Sequence, residues 1–186
     1  MVLLVIAIVS IISAWLISII FTKLKVALPW WIESPSVIGF YGLFYTVFDK
    51  YLWRTELIRK IGLVNTPDFE GKWDGNLFSS FGKNSYENVN VKIIQTWTKM
   101  QILLFTNKSQ SHSLAAFISV NDPGGPSLIY QYQNNPKPNA INTMQIHYGT
   151  TKLNLTEQGL EGEYYSGRGR QNYGSLSLKK SHLAHH

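Results

Sequence analysis

The sequence predicts an all-β domain, a small antiparallel β-barrel of about eight strands, preceded by two N-terminal transmembrane helices. Three observations lead to this fold class. Residues 1–48 are overwhelmingly apolar, whereas charged residues are scattered evenly from Asp49 onward. From Asp68 the chain continues in short alternating runs, which glycine, proline and asparagine separate. Between these runs, no stretch has the length and periodicity of a helix.

The first predicted span is Val2 to Phe21, which contains no charged residue, proline or glycine. About twenty residues at 1.5 Å each cross the hydrocarbon core of a bilayer. A cleaved signal peptide fits poorly, because no lysine or arginine precedes the run and no small-residue cleavage site follows it. Ser10, Ala14 and Ser18 recur every four residues, which predicts a face of small side chains where another helix could associate.

The second predicted span covers residues 36–53 and is rich in phenylalanine and tyrosine. Between the spans, Leu28 to Pro35 holds two tryptophans and two prolines, which predicts an interfacial turn that interrupts the helix. An interfacial helix lying along the membrane is the alternative to the second span. The cluster Lys50, Arg54, Arg59 and Lys60 then favours the cytosolic side for everything that follows, which predicts a multi-pass protein with a cytoplasmic barrel.

Composition limits the class of partner. The formal net charge of +6 is divided evenly, since residues 1–60 and the remainder each contribute +3. This modest excess favours membrane-surface or nucleotide partners over a DNA or RNA polymer. The chain has no cysteine, which excludes disulfides and thiolate chemistry. We expect three regions: a transmembrane hairpin over 1–60 with spans at about 2–22 and 36–53, a barrel over 61–180, and a tail over 181–186.

Eight alternating runs account for the predicted strands: Phe69 to Phe78, Tyr86 to Trp97, Lys99 to Thr106, Ser113 to Val120, Ser127 to Asn134, Thr143 to Leu155, Leu160 to Gly167 and Tyr173 to Lys179. Apolar alternation predicts the inward side chains on the second run as Val89, Val91 and Ile93. On the sixth run it predicts Met144, Ile146 and Tyr148. A barrel of this size has room for packed side chains or one small ligand.

The stretch from Leu160 to Leu178, LEGEYYSGRGRQNYGSLSL, contains the candidate ligand site. With a period of two, one face of its first strand carries Leu160, Gly162, Tyr164, Ser166, Arg168 and Arg170. Such a face leads from an apolar interior to a basic mouth, which suits an anionic ligand with aromatic parts. A surface hairpin with solvated arginines is the alternative.

The complete pattern resembles a known family. Two transmembrane segments lead directly to an all-β domain that opens FEGKWDGNL and closes EGEYYSGRGRQNYGSLSL. This arrangement resembles the membrane-disrupting effectors of CBASS, the bacterial cyclic-oligonucleotide anti-phage systems, over essentially the whole chain. The resemblance implies a barrel that senses a cyclic dinucleotide made by a neighbouring nucleotidyltransferase of the CD-NTase type. It also implies oligomerisation of the transmembrane segments, inner-membrane damage and death or arrest of the infected cell.

A cyclic dinucleotide presents two phosphodiester charges and two base faces. Arg168 and Arg170 are the candidate partners of the phosphates, and Tyr164, Tyr173, Trp73 and Trp97 are candidates for stacking on the bases. For the two tryptophans, a place in the barrel core is the competing interpretation.

Catalysis is poorly supported by the sequence, and we expect neither an enzyme nor a cofactor. His112 and His147 are isolated, and the acids near the first strand fit hairpin chemistry. Two other function classes stay open: a membrane-anchored, lipocalin-like carrier of an apolar ligand, and a scaffold that binds a protein through its rim.

Overall fold

The computed structural model describes residues 1–25, 30–81, 85–167 and 171–181, with side chains described from residue 36 in the second helix and from residue 87 in the second strand. The chain divides into two compact units. Unit 1 contains Met1–Asn65 together with Thr96–Thr98, and unit 2 contains Thr66–Gln95 and Lys99–His186. Unit 1 is helical, and unit 2 is a β-barrel.

Within its described residues, unit 1 has three α-helices and one 3-10 turn. Their bounds are α1 Val2–Lys23, α2 Trp30–Lys50, the 3-10 turn Leu52–Arg54 and α3 Glu56–Lys60. The uncharged run of the sequence forms α1, and Lys23 lies in its last turn. A cation there interacts favourably with the negative end of the helix dipole.

Among the described helices, α1 alone is long and apolar enough to cross a membrane. The prediction of a second such span at 36–53 is therefore not met, because α2 ends in Asp49 and Lys50 and is diluted by glycine and hydroxyl-bearing residues. The predicted break at Pro35 is also wrong, since α2 begins at Trp30 and continues through it. A proline in the second turn removes one backbone N–H donor, and the backbone hydrogen bonds of the neighbouring residues maintain the helix.

One face of α1 packs inside unit 1. Val2 and Ile6 belong to a buried apolar cluster with side chains from α2 and from the segment after it. One turn further along, Ser10 is fully buried, and its hydroxyl donates to the carbonyl of Ile6 at 2.7 Å. The small-residue face therefore starts on the packed side of α1. Helix association through Ser10, Ala14 and Ser18 stays a prediction.

The end of α2 holds the short segment Thr96–Thr98 within the same unit. The carboxylate of Asp49 accepts hydrogen bonds from the backbone N–H and the hydroxyl of Thr98, at 2.9 and 2.7 Å. The rings of Phe48 and Trp97 meet edge to face with centroids 5.2 Å apart. Trp97, a candidate for ligand stacking, thus has its ring against an α2 side chain.

Unit 2 is a closed antiparallel barrel in which each strand pairs with the next and the last pairs with the first. Its described strands are β1 Gly71–Ser79, β2 Ser85–Gln95, β3 Met100–Phe105, β4 Ser109–Ser119, β5 Ser127–Pro136, β6 His147–Thr156, β7 Gly159–Ser166 and β8 Tyr173–Lys180. The predicted eight-stranded barrel is confirmed. The largest differences lie at the starts of β4 and β6, which the sequence placed at Ser113 and Thr143.

Alternate positions of the strands fill the barrel interior. On β2, the predicted inward residues Val89, Val91 and Ile93 are at most 2% exposed. On β7, the predicted division is also confirmed: Leu160 and Tyr164 are buried, whereas Glu161, Glu163 and Tyr165 are exposed.

The predicted inward face of β6 was wrong by one residue. Ile146 and Tyr148 are more than half exposed, whereas Thr151 and Leu153 are buried. Gly149 shares this inward face, and a Cβ atom there would overlap the hydroxyl of a tyrosine on β5. Glycine leaves room for that aromatic side chain, which fills the interior at this position. The apolar residues Ile146 and Tyr148 therefore do not mark the inward face.

Asp122 holds the turn between β4 and β5. The ammonium of Lys152 lies 2.8 Å from its carboxylate, and the hydroxyls of Ser127 and Ser119 donate to it. These hydrogen bonds lower the pKa of Asp122 from 3.8 to about 2, and the bond from Lys152 has the largest effect. A carboxyl whose pKa is lower in the folded state than in the unfolded state stabilises the fold at pH values above the unfolded-state pKa. The stabilisation is therefore present above about pH 4 and is lost as the pH falls towards 2.

We expect Asp122→Asn to unfold at a lower urea concentration than the wild-type chain at pH 7. The difference should shrink between pH 4 and pH 2, because the wild-type carboxyl then takes up a proton. Urea unfolding at a series of pH values measures this, and Glu157→Gln, in the exposed turn after β6, is the control. A difference that is constant from pH 7 to pH 2 would contradict the assignment.

Candidate functional site

A cavity lies at one end of the barrel. Successive strands run in opposite directions, so the turns after β1, β3, β5 and β7 come together at the same end. Side chains near these turns line a cavity of about 120 Å³ that is partly open to solvent. The chain enters the barrel at Gly71, at the opposite end.

The two ends of the barrel differ in polarity. Away from the cavity, the inward side chains are buried and mainly apolar, among them Ile93, Ile102, Leu128, Leu153, Leu160 and Leu178. At the cavity, one wall is polar and is formed by Thr106, Ser109, Ser111, Asn134 and Thr151. Buried polar groups are costly unless they find hydrogen-bond partners, so a polar wall in a barrel interior favours a polar ligand.

Another part of the cavity lining is apolar and aromatic. Its main contributors are Leu77, Leu104, Tyr130, Tyr132, Tyr164 and Leu176. Tyr130 is deeply buried, which raises its pKa to about 12. The phenol therefore keeps its proton at physiological pH and is uncharged.

Charged and ionisable groups lie at the rim. Among the described lining residues, Lys108 supplies the cation, from the turn between β3 and β4, and Glu87 supplies a carboxylate. The imidazole of His147, at the start of β6, hydrogen-bonds through Nδ1 to the carbonyl of Gln145 at 2.9 Å. Because a carbonyl only accepts, Nδ1 carries the proton.

The structure places the predicted site residues in different surroundings. Tyr164 lines the cavity. Tyr173 is 61% exposed and lies opposite Tyr165, on the outward face of the barrel. Trp73 is buried at the end away from the cavity, where its Nε1–H donates to the carbonyl of Phe69 at 2.9 Å. The ammonium of Lys180 lies 5.5 Å from the centre of its ring.

Arg168 and Arg170 lie outside the described residues. Their described neighbours do reach the cavity, since Ser166 and Asn172 both line it. The backbone N–H of Ser166 donates to the carbonyl of Asn172 at 2.7 Å, which closes the hairpin. The role of the two arginines stays a prediction.

The sequence reasoning missed the polar wall. Ser109 and Ser111 precede the predicted start of the fourth strand, and Asn134 is the last residue of the predicted fifth strand. The available signal was the alternation of Ser109, Ser111 and Ser113, which continues the strand towards its turn with small polar side chains. Met144, predicted to face inward from a strand, lines the cavity from the loop before β6.

Comparison with known proteins agrees with this division of the chain. The model of the Cap15 TM helices matches residues 1–54, and the model of the Cap15 cyclic dinucleotide receptor domain matches residues 64–180. CD-NTase-associated protein 15 of Yersinia aleksiciae is 34% identical over 148 residues, which cover 78% of this chain and 69% of that protein. The protein of the same name from Staphylococcus schleiferi is 30% identical over 151 residues, or 81% of this chain and 80% of the relative. The chain, with its apolar N-terminal helix and its eight-stranded barrel, therefore belongs to the Cap15 family.

Proposed function

We propose that the barrel cavity binds a cyclic dinucleotide and that binding controls how the membrane-anchored helices assemble. One observation carries the proposal: within a receptor-type barrel, polar and aromatic side chains line the same cavity, which opens at one end. A nucleotide needs both surfaces, because its bases have apolar faces and polar edges.

The phosphates require cations as well. Lys108 at the rim is a described candidate. Arg168 and Arg170 are proposed to join it, since the residues that flank them line the same cavity. Tyr164 is the proposed stacking partner for a base, because its ring forms part of the apolar wall. Trp73, at the end away from the cavity, and Tyr173, on the outward face of the barrel, need a second contact region if they are to meet the ligand.

The rest of the proposal concerns the membrane. Residues 1–60 form the anchor and 61–180 the receptor, with the barrel on the cytosolic side of a bacterial inner membrane because lysine and arginine cluster after α2. The messenger comes from a cognate CD-NTase, and its binding promotes homo-oligomerisation, membrane damage and arrest or death of the infected cell in CBASS defence. This coupling requires the ligand to bind the assembled state more tightly than the unassembled one. The chain acts as a binding protein, and its role is not enzymatic.

The test is a thermal-shift panel on the full chain in detergent, with cyclic dinucleotides and fatty acids as ligands. A cyclic dinucleotide at 100 times its dissociation constant should stabilise the chain by about 2.7 kcal/mol, and the shift should weaken as salt rises. The same ligand should release a dye from vesicles that contain the chain. Stabilisation by fatty acids alone would instead support a lipocalin-like carrier, and no response to either class would favour a scaffold.

A further inference from the structure

Two polar side chains of the cavity wall form a cross-strand pair. Ser111 on β4 lies directly opposite Asn134 on β5, and both line the cavity. Ser111 is 7% exposed and Asn134 is 6% exposed. Both residues therefore lie within the barrel, with the cavity as the space next to them.

The pair is poorly satisfied by the protein itself. The Asn134 amide donates to the sulfur of Met144 at 3.3 Å, and a thioether is a weak acceptor. In the described part of the chain, no residue hydrogen-bonds the Asn134 amide oxygen or the Ser111 hydroxyl. Both residues line the cavity, so the hydrogen-bonding capacity that the protein leaves unused is available to a ligand that enters it.

Neighbouring polar side chains on the same wall differ in this respect. Thr106 and Ser109 lie within hydrogen-bond distance of each other, at 3.3 Å between their hydroxyl oxygens. Ser111 and the Asn134 amide oxygen thus keep hydrogen-bonding capacity that Thr106 and Ser109 use within the protein.

We infer that Ser111 and Asn134 recognise the hydrogen-bonding edge of one nucleobase, which enters the cavity while the second base stays at the rim. This inference rests on the proposed function. A carboxamide offers an acceptor and a donor side by side, which matches the amino group and ring nitrogen of adenine. A carboxylate offers acceptors only and matches the amino group of cytosine. Asn134 is therefore a specificity determinant, and Ser111 adds a hydroxyl that adapts to either role.

The test is Asn134→Asp in the full chain, titrated in detergent with cyclic di-AMP and cyclic di-CMP. The ratio of the two affinities should shift towards the cytosine ligand by about tenfold or more. Gln131→Glu makes the same amide-to-carboxylate change on the exposed face of the same strand, and its ratio should equal that of the wild type. Asn134→Ala should bring the two affinities closer together.

The outcomes separate this inference from the proposed function. A wild-type chain that binds no cyclic dinucleotide overturns both. A second outcome is that the wild type binds these ligands while Asn134→Asp and Asn134→Ala keep the wild-type ratio of the affinities for cyclic di-AMP and cyclic di-CMP. In that case the base-recognition role is wrong and the receptor function stands. Thermal unfolding of each variant verifies that it is folded. Should Asn134→Asp fail to fold, the ratio measured for Asn134→Ala decides.

Discussion

Replacing Arg168 and Arg170 together with alanine is expected to weaken the binding of a cyclic dinucleotide by about 100-fold or more. A charge-assisted hydrogen bond contributes about 1.5–3 kcal/mol, and each 1.4 kcal/mol changes the affinity tenfold. The ligand has two phosphates, and a guanidinium can hold a phosphate through two parallel hydrogen bonds. The proposal is supported by Ser166 and Asn172, which flank the arginines and line the cavity.

Isothermal titration of the full chain in detergent, at two salt concentrations, measures this loss. Lys72→Ala with Lys179→Ala is the matched control, because it removes the same charge from exposed positions of β1 and β8 at the end away from the cavity. The control should keep the affinity within a few-fold, and its binding should keep its dependence on salt. Wild-type affinity in the arginine variant would remove both residues from the site and leave Lys108 as the described cation to test.

A second large effect is expected for the barrel core, where Leu160→Ala should lower the free energy of unfolding by about 2–5 kcal/mol. Leu160 is fully buried and pairs with Leu155 on one side and Leu178 on the other. Its removal leaves a cavity that a closed barrel cannot easily collapse, since each strand is held on both edges. The loss is a large part of the typical stability of a small domain.

Urea unfolding followed by tryptophan fluorescence measures the change. Leu114→Ala provides the same substitution at a position on β4 that is 54% exposed, and it should change the stability by about 0.5 kcal/mol or less. Equal effects of the two substitutions would mean that Leu160 is not in a packed interior. Such a result would overturn the assignment of the inner face of β7.

The inner face of β7 shows how far sequence reasoning reaches. Alternation placed Leu160, Gly162, Tyr164 and Ser166 on one side, and the structure confirms it because strand geometry forces successive side chains to opposite faces. The same rule could not tell which end of the barrel would be open. Trp73 also faces inward, yet it lies at the packed end, away from the cavity.

The β6 strand shows where the rule fails. The apolar residues Ile146 and Tyr148 suggested an inner face, but the buried residues are Thr151 and Leu153. A side chain from β5 occupies the space beside Gly149, so the interior there is filled by a neighbouring strand. Local alternation cannot reveal which strand supplies the filling atoms.

Local chemistry alone was enough to identify the apolar N-terminal helix, the order of eight strands and the faces of β2 and β7, because helix length and side-chain alternation follow from neighbouring residues. The length of α2, the inner face of β6 and the cavity required the folded chain. Ser111 and Asn134 are separated by more than twenty positions and meet only through strand pairing. Whether a polar side chain is satisfied or left facing a cavity depends on such distant partners, and barrel closure decides which partners those are.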